Sequence, residues 1–318
     1  MPQDYYVLPP RIGIVHCTTT AGPISFKIVE KWSPNGFDRA LELFRRGFYD
    51  GSHFFRVVPG FLVQFGMSYS KDVELIQFAE FTIQDDPQLN PPIKFEEGII
   101  SFAGSGPQSR TSHLFISYGS SPGLGTQLWE TPIGKVIEGM ENVKKLYSGY
   151  GDMPPWGNGP EQWKISKRGE AYINEEFPKL DKFNSCLSTD VELAVGEDLS
   201  AEDELYLLQL LKQEIGNVQH DSRSSVQAQI IKRSNIYMQR KVEQHEQINE
   251  HKDDNKSTES NIISKNRADR IGSSQDQVLS LAQRVEFPIL ASILLFGIIR
   301  YLIKKHDHRT VRGKKSID

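Results

Sequence analysis

One arginine set inside an aromatic and branched run constrains this chain more than any other feature. Phe48–Gly66 reads FYDGSHFFRVVPGFLVQFG. The run divides into two short strands, Ser52–Val57 and Phe61–Gln64, at a Pro59-Gly60 turn. Alternation along a strand sends His53, Phe55 and Val57 to one side and Phe54, Arg56 and Val58 to the other. After the turn, Phe61 and Val63 share a face opposite Leu62 and Gln64. An unpaired buried cation is costly. Arg56 therefore either serves a function or is satisfied by reaching solvent or a carboxylate. This stretch alone leaves both readings open.

Two further blocks favour the functional reading. Gly98–Gly106 reads GIISFAGSG, followed by Pro107 and then Ser112–Ile116, SHLFI. Gly134–Met140 reads GKVIEGM. In this order the three blocks resemble the cyclophilins, the prolyl cis–trans isomerases. The first matches the family pattern F-Y-x-G-x-x-F-x-R-V-[IV]-P-x-F-[ML]-x-Q-x-G. The second matches G-x-[LIV]-S-[MF]-A-x-[AS]-G-P-x-[ST]-x-x-S-Q-[FL]-F-I, with His113 where the family has Gln. The resemblance runs over Ile12–Leu180, and the segments LYSGYGDMPPWGNGP and EEFPKLD look like a bacterial-type branch. It implies a mainly β fold, a closed eight-stranded antiparallel barrel with a helix over each mouth. Closure would leave no free sheet edge.

The residues themselves support a barrel-like reading. Ile12–Thr18 and Ile24–Val29 form a hairpin, and Gly36–Gly47 is a helix with Phe37, Ala40, Leu41 and Phe44 on one side. Strands follow at Phe81–Asp86, Ile99–Ala103, Leu114–Tyr118 and Ile133–Val136, with a short helix over Asn142–Tyr147. Ser68–Glu80 carries no clear period. Cys17 and Cys186 are the only cysteines. They allow one disulfide without requiring it, and their spacing fits no zinc pattern.

Five segments are expected: an isomerase-like domain over 1–185, a helical extension over 186–250, a polar linker over 251–286, a membrane helix over 287–303 and a basic tail over 304–318. In the extension, Ser200 caps a helix over Ser200–Ile215, with Leu205, Leu208, Leu211 and Ile215 on its apolar side. A second helix with a thin apolar stripe spans Ser225–Gln247, and the linker reads as disordered. Phe287–Ile303, FPILASILLFGIIRYLI, just reaches the length of a membrane span. The expected localisation is therefore a membrane, single-pass near the C-terminus. Its orientation is in conflict. Arg300, Lys304, Lys305, Arg309, Arg312, Lys314 and Lys315 place the tail in the cytosol and the barrel in a lumenal or exoplasmic space. The N-terminus, which has no signal peptide as written, favours a cytosolic tail anchor.

The chemistry implied is rotation about the X–Pro bond. Amide resonance sets a barrier of roughly 18–20 kcal/mol, while the two isomers differ by only about 0.5–1 kcal/mol. Catalysis needs no nucleophile and no cofactor, only a site that favours the twisted amide over the planar one. By resemblance, Arg56 is the catalytic arginine, and Phe61, Leu62, Phe115 and Leu124 line the proline pocket. Gln64 matches the residue that bonds the substrate backbone, and Ala103 and Gly104 match the stretch whose main chain pairs with the residues before proline. Gly123 stands where many members carry a tryptophan, so cyclosporin binding is expected to be weak. Neither Trp129 nor Glu130 is a clear counterpart of the pocket histidine. The expected partners are proline-containing polypeptides and, through the C-terminal helix, a membrane. A net charge of −4 gives no global pull towards nucleic acid. The leading function is a membrane-tethered isomerase assisting protein folding. The alternatives are a catalytically weak proline-peptide-binding module and a chaperone or scaffold that recruits partners through its helices.

Overall fold

A computed structural model describes residues 9–244, apart from 120, 122, 195 and 220. The chain divides into a compact unit through Val242 and a second unit from Glu243 onward. The first unit is built on eight antiparallel strands: β1 (Arg11–Thr19), β2 (Ile24–Val29), β3 (Arg56–Val58), β4 (Leu62–Phe65), β5 (Ile99–Phe102), β6 (Leu114–Ser117), β7 (Pro132–Glu138) and β8 (Phe183–Glu192). Their order in the sheet is β3-β4-β6-β5-β7-β2-β1-β8. The helices are α1 (Pro34–Arg45), α2 (Val73–Glu80), α3 (Met140–Val143), α4 (Gln162–Arg168), α5 (Glu170–Glu176), α6 (Ala201–Glu214) and α7 (223–244).

The closed barrel expected from the sequence is corrected here, because β3 and β8 are sheet edges with no ladder between them. The cause lies in the residues that lead into β3. Ser52–Phe55 do not continue the strand, leaving β3 three residues long. They follow a bend with Gly47 and Gly51 at φ of 74°, a backbone state that glycine adopts without steric cost. The gap is spanned by single bonds instead. Gly51 N–H donates to Phe183 O (3.0 Å), Phe183 N–H to Ser52 O (3.0 Å) and Phe54 N–H to Asp181 O (2.9 Å). Helices α6 and α7 lie where the extension was expected to be helical, and α2, α4 and α5 are present besides the two helices expected over the barrel.

Alternation sorts the side chains into separate cores. Val15, Cys17, Phe26, Phe44, Tyr49, Phe54, Val63, Phe65, Leu114, Ile116 and Phe183 fill the inside of the curved sheet. Ile12, Ile14, Leu187 and Val191 face outward and are covered by Leu207, Leu208, Leu211, Val226 and Ile230 of the two last helices. Strands β1 and β8 are therefore buried on both faces. Cys17 and Cys186 are cross-strand partners between them and form a disulfide. The domain boundary drawn after residue 185 falls inside β8.

Ser200 caps α6 as expected, its Oγ accepting from the Asp203 N–H at 3.1 Å. The apolar side of that helix is Leu207, Leu208, Leu210 and Leu211, whereas Leu205 is exposed. Helix α1 starts on Pro34, favoured at a first helical position. The carboxylate of Asp86 serves its first turn by accepting from the N–H groups of Asn35 (2.9 Å) and Gly36 (3.1 Å). Asp86 in turn pairs with the fully buried Arg110 at 2.9 Å, which fixes the loop between β5 and β6 against α1.

The membrane span expected at 287–303 lies outside the described residues. Among the described residues, no helix is long and apolar enough to cross a membrane. The apolar side of α6 lies against the sheet and its other side is charged. The single-pass membrane localisation read from the sequence is accordingly corrected and not carried forward.

Candidate active site

The residues singled out in sequence converge on the outer face of β4 and β6. Register explains why. Arg56 pairs with Gln64 across β3 and β4, and Gln64 pairs with Phe115 across β4 and β6. Cross-strand partners lie on one face, and that face is opposite to Val63, Phe65, Leu114 and Ile116 in the core. Phe61 escapes the alternation expected of it. It sits in the turn after Gly60, one residue before β4 begins, and joins Leu62 rather than Val63.

An apolar cluster forms beside the arginine. Leu62, Phe95, Ile99 and Phe115 are buried in it, and Phe61, Ala103 and Leu124 pack against it partly exposed. All five apolar residues expected to line a proline pocket or its approach are thus brought together. Phe95 was not foreseen. Its ring stacks on Phe115 at 5.6 Å between centroids, and it fills the space that a side chain at Gly125 would take.

Arg56 is held from three sides. Its guanidinium lies 5.4 Å from the Phe61 ring centroid. Nη1 donates to Gln64 Oε1 at 3.2 Å. Nε and Nη2 donate to the two carboxylate oxygens of Asp152, at 2.7 and 3.0 Å. Both partners are largely withdrawn from solvent, with 17% and 16% side-chain exposure. Burial raises the Asp152 carboxyl pKa, but hydrogen bonds from Arg56 and from the Met153 N–H outweigh it and hold the group below its ordinary value. Sequence reading missed Asp152 because it lies in a glycine- and proline-rich loop with no period to follow.

The departures from the family pattern have definite positions. Gly104 leaves room for the Trp129 indole, which a Cβ there would meet at 2.7 Å. Among the described residues nothing lies within 4 Å of a Cβ built on Gly123, where many members carry the tryptophan. The Glu130 carboxylate turns back into its own loop and accepts from the Gly125 N–H at 2.9 Å. His113 packs edge-on against Phe55, and burial pushes its pKa down to about 4. It lines a cleft of about 700 Å³ with Gly66, Tyr69 and Glu170, and Arg56 is not among the residues lining that cleft.

Comparison with known proteins bears on the domain as a whole. Residues 14–167 match the family model described as cyclophilin type peptidyl-prolyl cis-trans isomerase/CLD. The chain is 34% identical over 143 residues to peptidyl-prolyl cis-trans isomerase CYP18-2 of Arabidopsis thaliana, covering 44% of this chain and 82% of that protein. It is 30% identical over 131 residues to peptidyl-prolyl cis-trans isomerase cypE of Dictyostelium discoideum, covering 40% and 80%. It is 30% identical over 130 residues to peptidyl-prolyl cis-trans isomerase-like 3 of Gallus gallus, covering 40% and 78%. With an arginine set beside an apolar pocket and relatives matched over most of their own length, this chain belongs to the cyclophilin-type peptidyl-prolyl cis–trans isomerases.

Proposed function

We propose that this chain assists protein folding by accelerating rotation about X–Pro bonds, with Arg56 stabilising the twisted amide. The observation that carries the proposal is the guanidinium of Arg56 held beside Phe61 and Gln64 at the apolar cluster of Leu62 and Phe115. When the amide twists, its nitrogen regains a lone pair and becomes a hydrogen-bond acceptor. A fixed cation with directed N–H donors binds that nitrogen only in the transition state, which is the condition for raising kcat. The fork is always charged and rigid, so a lysine would not replace it.

The remaining residues would hold the substrate. Phe61, Leu62, Phe115 and Leu124 would take the proline ring, a small apolar body that fits a small apolar cluster. Gln64 would bond the substrate backbone, and the main chain of Ala103 and Gly104 would pair with the residues before proline. The open space at Gly123 favours weak cyclosporin binding.

Arg56→Ala is expected to lower kcat on an X–Pro peptide by on the order of 10²–10³-fold with little change in peptide affinity. Arg56→Lys is expected to be impaired too. If affinity and turnover fell together, Arg56 would be a binding residue instead. A second reading, a groove that binds proline peptides with little turnover, draws support from Glu130 being turned into its own loop, so that its carboxylate does not stand in for the family's histidine. Equal, near-background turnover of wild type and Arg56→Ala, with peptide affinity retained, would establish that reading. For the scaffold reading, the apolar side of α6 packs against β1 and β8, so partners would meet the polar sides of α6 and α7.

A further inference from the structure

We propose that Asp152 is the positioning residue for Arg56, clamping the Nε–Nη2 edge of the guanidinium so that the remaining N–H groups of its terminal nitrogens are held for the substrate. This rests on the reading of Arg56 as the group that meets the twisted amide. A guanidinium carries five N–H donors. Asp152 takes Nε and one N–H of Nη2, and Gln64 takes one N–H of Nη1. One N–H on each terminal nitrogen then remains for substrate. A bidentate carboxylate fixes the plane of the fork as well as its place. Gln64 alone, through one neutral acceptor, would leave the fork free to rotate.

The loop that carries Asp152 is built to hold it still. Gly159 N–H donates to the Asp152 carbonyl at 2.9 Å, and Met153 N–H donates to its Oδ1 at 2.6 Å. A Cβ on Gly157 would collide with the Asp152 backbone, so the turn closes only with glycine there. The residues either side are anchored in a separate apolar cluster. Tyr150 meets the Phe177 ring edge-on at 5.1 Å, and Tyr150 and Met153 pack against Phe55, Ile165 and Tyr172. Asp152 is therefore a fixed point reached from α4 and α5, outside the strands that carry Arg56.

The carboxylate also offsets the positive charge of Arg56, which on its own would weaken the site. Orientation decides the sign. The prolyl nitrogen accepts a hydrogen bond only once twisted, so a misdirected fork loses transition-state stabilisation while ground-state binding stays as it was.

The test is a four-member cycle of wild type, Asp152→Asn, Arg56→Ala and the double variant, assayed on an X–Pro peptide with melting followed alongside. Asp152→Asn is nearly isosteric and is expected to lower kcat on the order of 10–100-fold, with KM unchanged and the melting temperature lowered but the protein folded at the assay temperature. Asp152→Glu, which keeps the carboxylate, should recover part of the loss. The double variant should be no worse than Arg56→Ala, since a residue that acts through another adds nothing once that other is gone. A strong Arg56→Ala effect beside a silent, activating or additive Asp152→Asn would overturn this inference alone. A silent Arg56→Ala would overturn the role of the arginine and this inference with it.

Discussion

The two halves of the sheet are made differently. Strands β3, β4, β6 and β5, which carry the site, are three or four residues long. Strands β7, β2, β1 and β8 run for six to ten residues. The short half has one face in the core, and its other face carries side chains such as Arg56 and Phe61 that keep part of their surface open. In the long half, β1 and β8 are packed on both faces, joined by a disulfide and covered by α6 and α7. The short half depends on loops to fix its side chains, as Asp152 does for Arg56. Stability is therefore expected to reside mostly in the long half and activity in the short one.

Emptying the outer core is the harshest way to break this division. Leu211 on α6 is fully buried against β1 and β8, so Leu211→Ala is expected to destabilise the protein by about 2–5 kcal/mol in denaturant unfolding. Turnover per folded molecule should be unchanged. A loss of kcat comparable with that of Arg56→Ala would mean the halves are coupled. Removing the disulfide with Cys17→Ala and Cys186→Ala should cost about 2–4 kcal/mol, because the bond closes a loop across a sequence separation of 169. Again kcat should hold, and a KM that rose with the loss would contradict the division.

A smaller effect is expected from pH, and it touches both halves. His16 in β1 is buried and His113 beside β6 half-buried, and each has its pKa pushed from 6.5 to about 4, chiefly by loss of solvent around the ring, with Lys212 adding to the effect at His16. The folded-state value lies below the unfolded one, so the unfolded chain takes up protons first as pH falls. Stability should be full above about 6.5 and decline from there to about 4. His16→Gln should flatten part of that decline in a pH series of unfolding curves. An unchanged slope would show that His16 is not a source of it.

Much of the site was legible because motif residues sit at fixed places in short strands. Arg56, Gln64 and Phe115 fall on one face by register alone, and Leu62 follows. The first hairpin and α1 were legible for a similar reason, each showing one clean period. Strand β8 was not, because its two buried faces are partly polar. Ser188 and Thr189 are buried there, and Thr189 Oγ1 is satisfied by Ser234 Oγ of α7 at 2.8 Å. A hydroxyl satisfied by a distant helix looks, in sequence, like a solvent-facing one. Helix α2 was hidden in a polar segment, although its Asp72 cap, which accepts from the Leu75 N–H at 3.0 Å, was a readable signal. Closure failed as an expectation because the bend through Gly47 and Gly51 interrupts the strand before Arg56.

The pairing of β1 with β8 also sets an order in time. Cys17 and its cross-strand partner Cys186 are 169 residues apart. At synthesis rates of 5–20 residues per second, the interval between them is on the order of ten to thirty seconds. Counted from the emergence of β1 to that of β8, the strand waits that long with one edge and its outward row of Ile12 and Ile14 uncovered. An exposed apolar strand edge is a template for pairing with other chains. The cover over β1 comes still later, from α6 and α7. The half of the sheet that is sturdiest when finished is thus the half that waits longest while the chain is being made.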